Sequence, residues 1–278
     1  MNISTSGDLG DVVYLMSILQ DIPNGPHNII LLDDGRTKGI VPRQHIIWPL
    51  CTSQSYVNEC RPIQPGDKID WHSEHFRHGW YNNTSTIIRQ HSSHGLHVKA
   101  IPSIQYTGQE KWLHNIEPRP DKPAYVVIAR SARYQNQYFQ WAKIVRHYNA
   151  RIRFVGTVQE HRDFCAQFGE VEYFPTADLL EVARLIAASE IFIGNQSSPA
   201  AVAEGLKHNM IQETSLTNPD CIYLRDNAQH CVDGKCTLPD IAGSGVLEID
   251  SQMQSPYSPK LMIVPPGGWR YHGLKSTL

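Results

Sequence analysis

In both halves of this 278-residue chain, short apolar runs alternate with stretches whose apolar residues recur every three to four positions. That alternation constrains the fold more than any other feature. A strand, a helical crossover and a second strand bring the two strands back parallel, because tight hairpins serve only antiparallel neighbours. The pattern therefore predicts βαβ units and an α/β fold with mainly parallel sheets. In the first half it gives a strand over 1–5, a helix over 11–19 and a buried strand over 27–34, HNIILLDD. In the second half it gives strands over 124–130, 151–156, 171–175 and 191–195. Helices are predicted over 137–148, 158–168, 178–188 (with Asp178 as N-cap) and 199–206.

Between the halves lies EPRPDKP, 117–123, whose prolines resist both helix and central strand. It divides the chain into an N-terminal α/β domain over 1–120 and a second over 121–240. An irregular tail follows over 241–278, with short strands possible at 221–224 and 244–249. The stretch 35–100 holds only short apolar pieces such as IIWPLC and reads as loop-rich, suited to shaping a substrate pocket.

Formal net charge is −2 and the pI about 6.7. No general attraction to nucleic acid or anionic membrane is implied, and a local basic groove stays open. The six cysteines form no C-x-x-C and read as free thiols of a reducing compartment. Asp8 and Asp11 interrupt what would be the apolar region of a signal peptide, and no 18-residue apolar run exists. A soluble, cytoplasmic protein without stable membrane insertion is expected.

In parallel sheets, ligands bind beyond the carboxyl ends of the strands. Three polar clusters fall there: Gly7 to Asp11, Arg130 to Arg133, and Gly194 to Ser198. In IFIGNQSSPAAVAEGL a buried strand stops on small polar residues and a helix opens with Pro199. Such a turn leaves backbone N–H groups and the positive helix end for an anion, though Ser-Ser-Pro is equally a good helix start. The spacing of SGDLGD does not make a G-x-G-x-x-G fingerprint, which argues against a nicotinamide oxidoreductase.

Three segments together, SGDLGDVVYL, DLLEVARLIAASE and IFIGNQSSPAAVAEGL, resemble the heptosyltransferase-like glycosyltransferases of glycosyltransferase family nine. The resemblance covers 176–213 and 1–19, is thin through 35–120 and ends near 240. It implies the GT-B architecture, with two facing Rossmann-like domains. It also implies transfer of a sugar from a nucleotide-sugar to an acceptor hydroxyl, with inversion, no essential metal and no other cofactor. Gly10-Asp11 falls on the family's Gly-Asp, whose aspartate is its proposed base. Asn195 to Ser198 falls on a turn usually written Asp-Thr/Ser-Gly, so a neutral Asn replaces the common Asp and no particular sugar is implied.

Glycosyl transfer needs a base for the acceptor proton and a stabiliser for the departing diphosphate. Asp11 is the candidate base, although on the residues alone Asp8 or Asp11 could simply cap the helix. Donor contacts are assigned to Arg130, Ser131 and Arg133, to Gly194, Asn195, Gln196, Ser197 and Ser198, and to Glu204, with Glu204 or Glu213 placed to meet ribose hydroxyls. Acceptor contacts are assigned to Gly7, Asp8, Gly10, Trp80 and Tyr81. Two histidine triplets, His72/His75/His78 and His91/His94/His97, are spaced three apart. On a helix such a triplet would not converge on one metal, and the His-, Trp- and Tyr-rich segment reads either as ordinary packing or as part of the acceptor pocket. The expected acceptor is a saccharide, with a modified DNA base as the alternative and nucleic-acid binding left open. Two other readings compete: an inactive nucleotide-sugar-binding module, and a nucleotide-sugar epimerase or hydrolase.

Overall fold

The computed structural model describes residues 1–33, 40–73, 110–119, 125–216 and 225–250. Trp80, Tyr81, five of the six triplet histidines, the strand expected at 221–224 and the end of the tail lie outside them.

The first unit contains β1 (Asn2–Thr5), α1 (Leu9–Leu19), β2 (His27–Leu31), α2 (Ile40–Thr52), β3 (Val57–Pro62) and β4 (Trp71–His72). Its parallel sheet has the order β3-β2-β1-β4. The second unit contains β5 (Val126–Ala129), α3 (Trp141–Tyr148), β6 (Ile152–Phe154), α4 (Val158–Phe168), β7 (Glu172–Tyr173) and α5 (Leu179–Ala187). It continues with β8 (Ile191–Asn195), α6 (Ser198–Gly205), β9 (Met210–Glu213) and β10 (Ala228–Cys231). These strands form one parallel sheet, ordered β10-β9-β8-β5-β6-β7. Numbered from β5, that is the doubly wound Rossmann order 3-2-1-4-5-6. The expected α/β architecture with parallel sheets is present.

Strand alternation sorts the second sheet's side chains cleanly. Val126, Ile128 and Ile193 enter a cluster with Trp141, Phe154 and Phe164 on one face. Val127, Ala129 and Phe192 enter the other cluster, which runs without a break into Ile3, Val13 and Leu15 of the first unit. Helices α1 and α2 pack there against α6 and α5. Helix α1 is accordingly buried from Val12 through Leu19, as a helix apolar all round must be. Even Ser17 is buried, its hydroxyl donating to the Tyr14 carbonyl at 2.6 Å.

Among the described residues, three elements (α2, β3 and β4) fall inside 35–100, where only loops and short apolar pieces were expected. Helix α2 carries Pro49, which removes one helical N–H and masks the helix in the sequence. Strand β3, VNECRP, is the sheet's polar edge and ends on proline. Past 240, Leu247–Ile249 forms β12, pairing antiparallel with β11 (Cys236–Leu238). Residues 241–250 thus pack with the second unit rather than trailing as irregular chain.

The segment 110–119 stitches the units together. The Trp112 and Leu113 amides donate to the Gly205 carbonyl at 3.1 and 3.0 Å, and the Tyr56 hydroxyl donates to the Trp112 carbonyl. A Cβ on Gly205 would lie 2.7 Å from both Trp112 Nε1 and Leu113 Cγ. Gly205→Ala is expected to destabilise the chain by about 1–3 kcal/mol through overpacking, read as a lower urea midpoint at constant m. Among the described residues, no helix is long and apolar enough to cross a membrane.

Candidate active site

The two sheets present their switch points, β1/β4 and β5/β8, where strand order reverses. The loops after β1, β5 and β8 meet there.

After β1 the chain turns through Ser6 and Gly7 into α1. Asp8 is the N-cap, and its amide donates to Asp11 Oδ2 at 2.8 Å. Asp11 therefore fastens the helix start, and it remains half-buried. Gly7 is required by proximity: a Cβ there would stand 2.3 Å from Asp11 Cβ and 2.8 Å from Oδ2. Arg43, in the first turns of α2, was not singled out from the sequence. It is 6% exposed, and its Nη1 donates to the Gly7 carbonyl at 2.7 Å and its Nη2 to the Leu32 carbonyl at 2.5 Å. It clamps the turn from behind. Only its tertiary bonds reveal this, because an arginine in a helix ordinarily reads as solvated.

After β8 comes the helix start proposed as an anion site. Ser197 is the N-cap, but its hydroxyl donates back to the Asn195 carbonyl at 3.2 Å and makes no capping bond. The first N–H groups of α6 thus receive no cap from Ser197, at the positive end of the helix dipole. Ser197 and Ser198 are half-buried. A Cβ on Gly10 would lie 3.7 Å from Ser198 Cα. The start of α1, with Asp11, and the start of α6 therefore abut, although their residues are far apart in sequence. Gly10 lies at this helix–helix contact.

After β5 the loop 130–136 is pinned from two sides. Asn195, fully buried, accepts from the Ser131 amide at 3.0 Å and donates to the Ser131 carbonyl at 3.0 Å and the Arg133 carbonyl at 2.6 Å. Glu213, also fully buried, accepts from Arg130 Nε at 3.0 Å and Nη2 at 3.1 Å, from the Asn136 amide at 2.7 Å and from Trp141 Nε1 at 2.9 Å. Arg133 emerges from this loop with its side chain 65% exposed and pairs with Asp8 at 3.0 Å. Burial disfavours its charge, and Asp8 more than offsets that, raising its pKa. The Arg133–Asp8 pair joins the loop after β5 to the loop after β1.

Several sequence expectations change. Arg130 is 8% exposed and neutralised by Glu213, so it builds the loop instead of meeting a diphosphate, and Glu213 has no acceptor capacity turned toward a ribose. Asn195 is spent on the same loop. Gln196 is buried, its Oε1 accepting from the Ser215 amide at 2.7 Å. A Cβ on Gly194 would sit 2.7 Å from the Ala129 carbonyl and 2.6 Å from Phe192, so this glycine permits strand packing. Glu204 is 1% exposed and paired with Lys207 and with Arg225 at 3.1 Å. Burial pushes its pKa up against the pull of both cations. It belongs to an internal ion cluster at the far end of α6. Asp8, Gly10, Asp11, Ser131, Arg133, Ser197 and Ser198 are brought together. Among the described residues no group of three or more His, Cys, Asp or Glu is placed to hold a metal ion.

No protein-family model matches the chain, and no curated protein matches it in sequence. Solved structures do match in fold. The E. coli heptosyltransferase WaaC, solved with ADP-2-deoxy-2-fluoro heptose, aligns at TM-score 0.52 and 13% identity over 88% of this chain and 95% of its own. The dodecameric, iron-containing heptosyltransferase TibC, in complex with ADP-D-beta-D-heptose, aligns at TM-score 0.50 and 16% identity over 82% of this chain and 61% of its own. The chain has the GT-B-like fold of these heptosyltransferases.

Proposed function

We propose that this chain is a heptosyltransferase-like, inverting glycosyltransferase that moves a sugar from a nucleotide-sugar to a saccharide hydroxyl without a metal. One observation carries the reading. The helix start bearing Asp11 abuts the start of α6, which Ser197 leaves without a side-chain capping bond, and Arg133 spans from the second unit to Asp8.

In this reading the acceptor oxygen attacks the anomeric carbon as its proton passes to Asp11. The bond from that carbon to the diphosphate oxygen breaks, and the diphosphate leaves with the electron pair. The N–H groups opening α6, the hydroxyls of Ser197 and Ser198, and Arg133 offset the growing negative charge. Arg133 exchanges Asp8 for the diphosphate, which it can grip in a forked geometry. Asn195 also speaks for an intact site and against an inactive module. Its amide N–H groups reach the Ser131 and Arg133 carbonyls, which an aspartate carboxylate could not do.

The test is calorimetric titration with ADP, GDP, UDP and their hexose conjugates in excess chelator. One diphosphate should bind, and at 100-fold over its dissociation constant it should stabilise the fold by about 2.7 kcal/mol. Arg133→Ala should weaken that affinity by about tenfold, the effect of losing one charge-assisted contact. Binding abolished by chelator would overturn the metal-free reading. Unchanged affinity in Arg133→Ala would remove that arginine from the site.

A further inference from the structure

We propose that Tyr134 is a specificity residue whose ring forms the face on which the transferred sugar lies. The inference rests on the donor-site reading above.

Tyr134 has φ +56°, a left-handed conformation that is an outlier for a bulky side chain. The surrounding loop enforces it. Asn195 holds Ser131 and Arg133 on one side, and Glu213 holds Arg130 and the Asn136 amide on the other. Asn136 is itself anchored, its Nδ2 donating to the carbonyls of Thr214 at 2.9 Å and Val232 at 2.8 Å. Glycine would adopt this backbone without strain, yet the position carries a large ring, 36% exposed. Strain that the surroundings hold in place clusters at positions where the side chain is used.

The ring's location says what for. The Arg133 guanidinium lies over it, 5.5 Å from the centroid, and the same guanidinium pairs with Asp8 beside Asp11. Through Arg133 and then Asp8 the ring is linked to the helix start that carries the candidate base, so in the donor-site reading it lies on the side of the diphosphate that the anomeric carbon takes. The nucleoside must lie on the opposite side of that diphosphate. A phenol ring suits the C–H face of a pyranose, and its negative π face attracts the positive charge that gathers at the anomeric carbon as the bond to diphosphate breaks.

The experiment compares the full-length chain with Tyr134→Gly and Tyr134→Phe, titrated with ADP, GDP, UDP and their hexose conjugates. Tyr134→Gly should keep the wild-type unfolding midpoint or exceed it, since the strain is released. It should bind the free diphosphate as wild type does and lose about tenfold in affinity for the conjugate. Tyr134→Phe keeps the ring and should bind both as wild type. Conjugate binding unchanged in Tyr134→Gly overturns the proposal. An equal loss for diphosphate and conjugate also overturns it, because the ring would then touch the nucleotide and not the sugar. Failure of the wild-type chain to bind any of these probes overturns the donor-site reading, and this inference with it.

Discussion

Asp11→Asn is expected to retain nucleoside-diphosphate affinity and to lose about 10²–10⁴-fold in the rate of sugar transfer, the range for removing a general base. The geometry makes this variant a clean one. Asp11 Oδ2 accepts the Asp8 amide at 2.8 Å, and an asparagine carbonyl can accept the same bond, so the helix start survives. What asparagine cannot do is take a proton from an acceptor hydroxyl. Capping and catalysis are compatible in one carboxylate, because its two oxygens offer several acceptor positions. Comparison with Asp11→Ala separates the two roles. Alanine also removes the capping-box bond that Asp11 accepts from the Asp8 amide and should cost about 1 kcal/mol of stability beyond the asparagine variant, with no further loss of rate. The measurement is single-turnover transfer at saturating donor, alongside thermal unfolding. Wild-type turnover in Asp11→Asn would leave Asp11 a helix cap and nothing more.

The elements set by periodicity and turn chemistry were legible in the sequence. Asp178 caps α5 as its position predicts, accepting from the Glu181 amide at 2.9 Å, and β8 runs over Ile191–Asn195 as its apolar run predicts. Helix α2 and strands β3, β9 and β10 were not legible, because each mixes polar residues or proline into an element that burial and pairing hold in place. The same limit governs the site. The loops that converge were readable from their position at strand ends. Which side chains face a ligand was not, because it depends on pairing across distant segments. Arg130 and Arg133 stand three residues apart and look alike in sequence. One is consumed by Glu213, 83 residues away, and the other reaches Asp8, 125 residues away. Arg43 and Tyr134 carried no local signal at all; a buried clamp and an enforced backbone angle exist only once the chain is folded.

Glu213 is where that tertiary pairing is concentrated, and Glu213→Ala is expected to cost about 3–5 kcal/mol, the penalty for stranding a buried charge. The side chain has no exposure, and it satisfies Arg130, the Asn136 amide and the Trp141 indole at once. Alanine would leave all of these without their acceptor in a place water does not reach. Against a typical stability of about 5–15 kcal/mol, that is a large fraction of the total, measurable as a fall in the urea midpoint. Local packing alone does not predict this size: a truncated surface glutamate costs about 0.5 kcal/mol or less. The cause is identified by a second substitution. Removing the stranded cation as well, in Arg130→Met with Glu213→Ala, should recover part of the loss, because the guanidinium and not the cavity is then the main penalty. The thioether chain can still lie against Phe168, over whose ring the guanidinium sits at 4.9 Å. A double variant less stable than Glu213→Ala would mean that cavity formation dominates, and Arg130 would then be a packing residue whose charge is incidental. If the charge dominates, Glu213→Ala should also release the loop that carries Arg133 and Tyr134, and donor binding should fall together with stability.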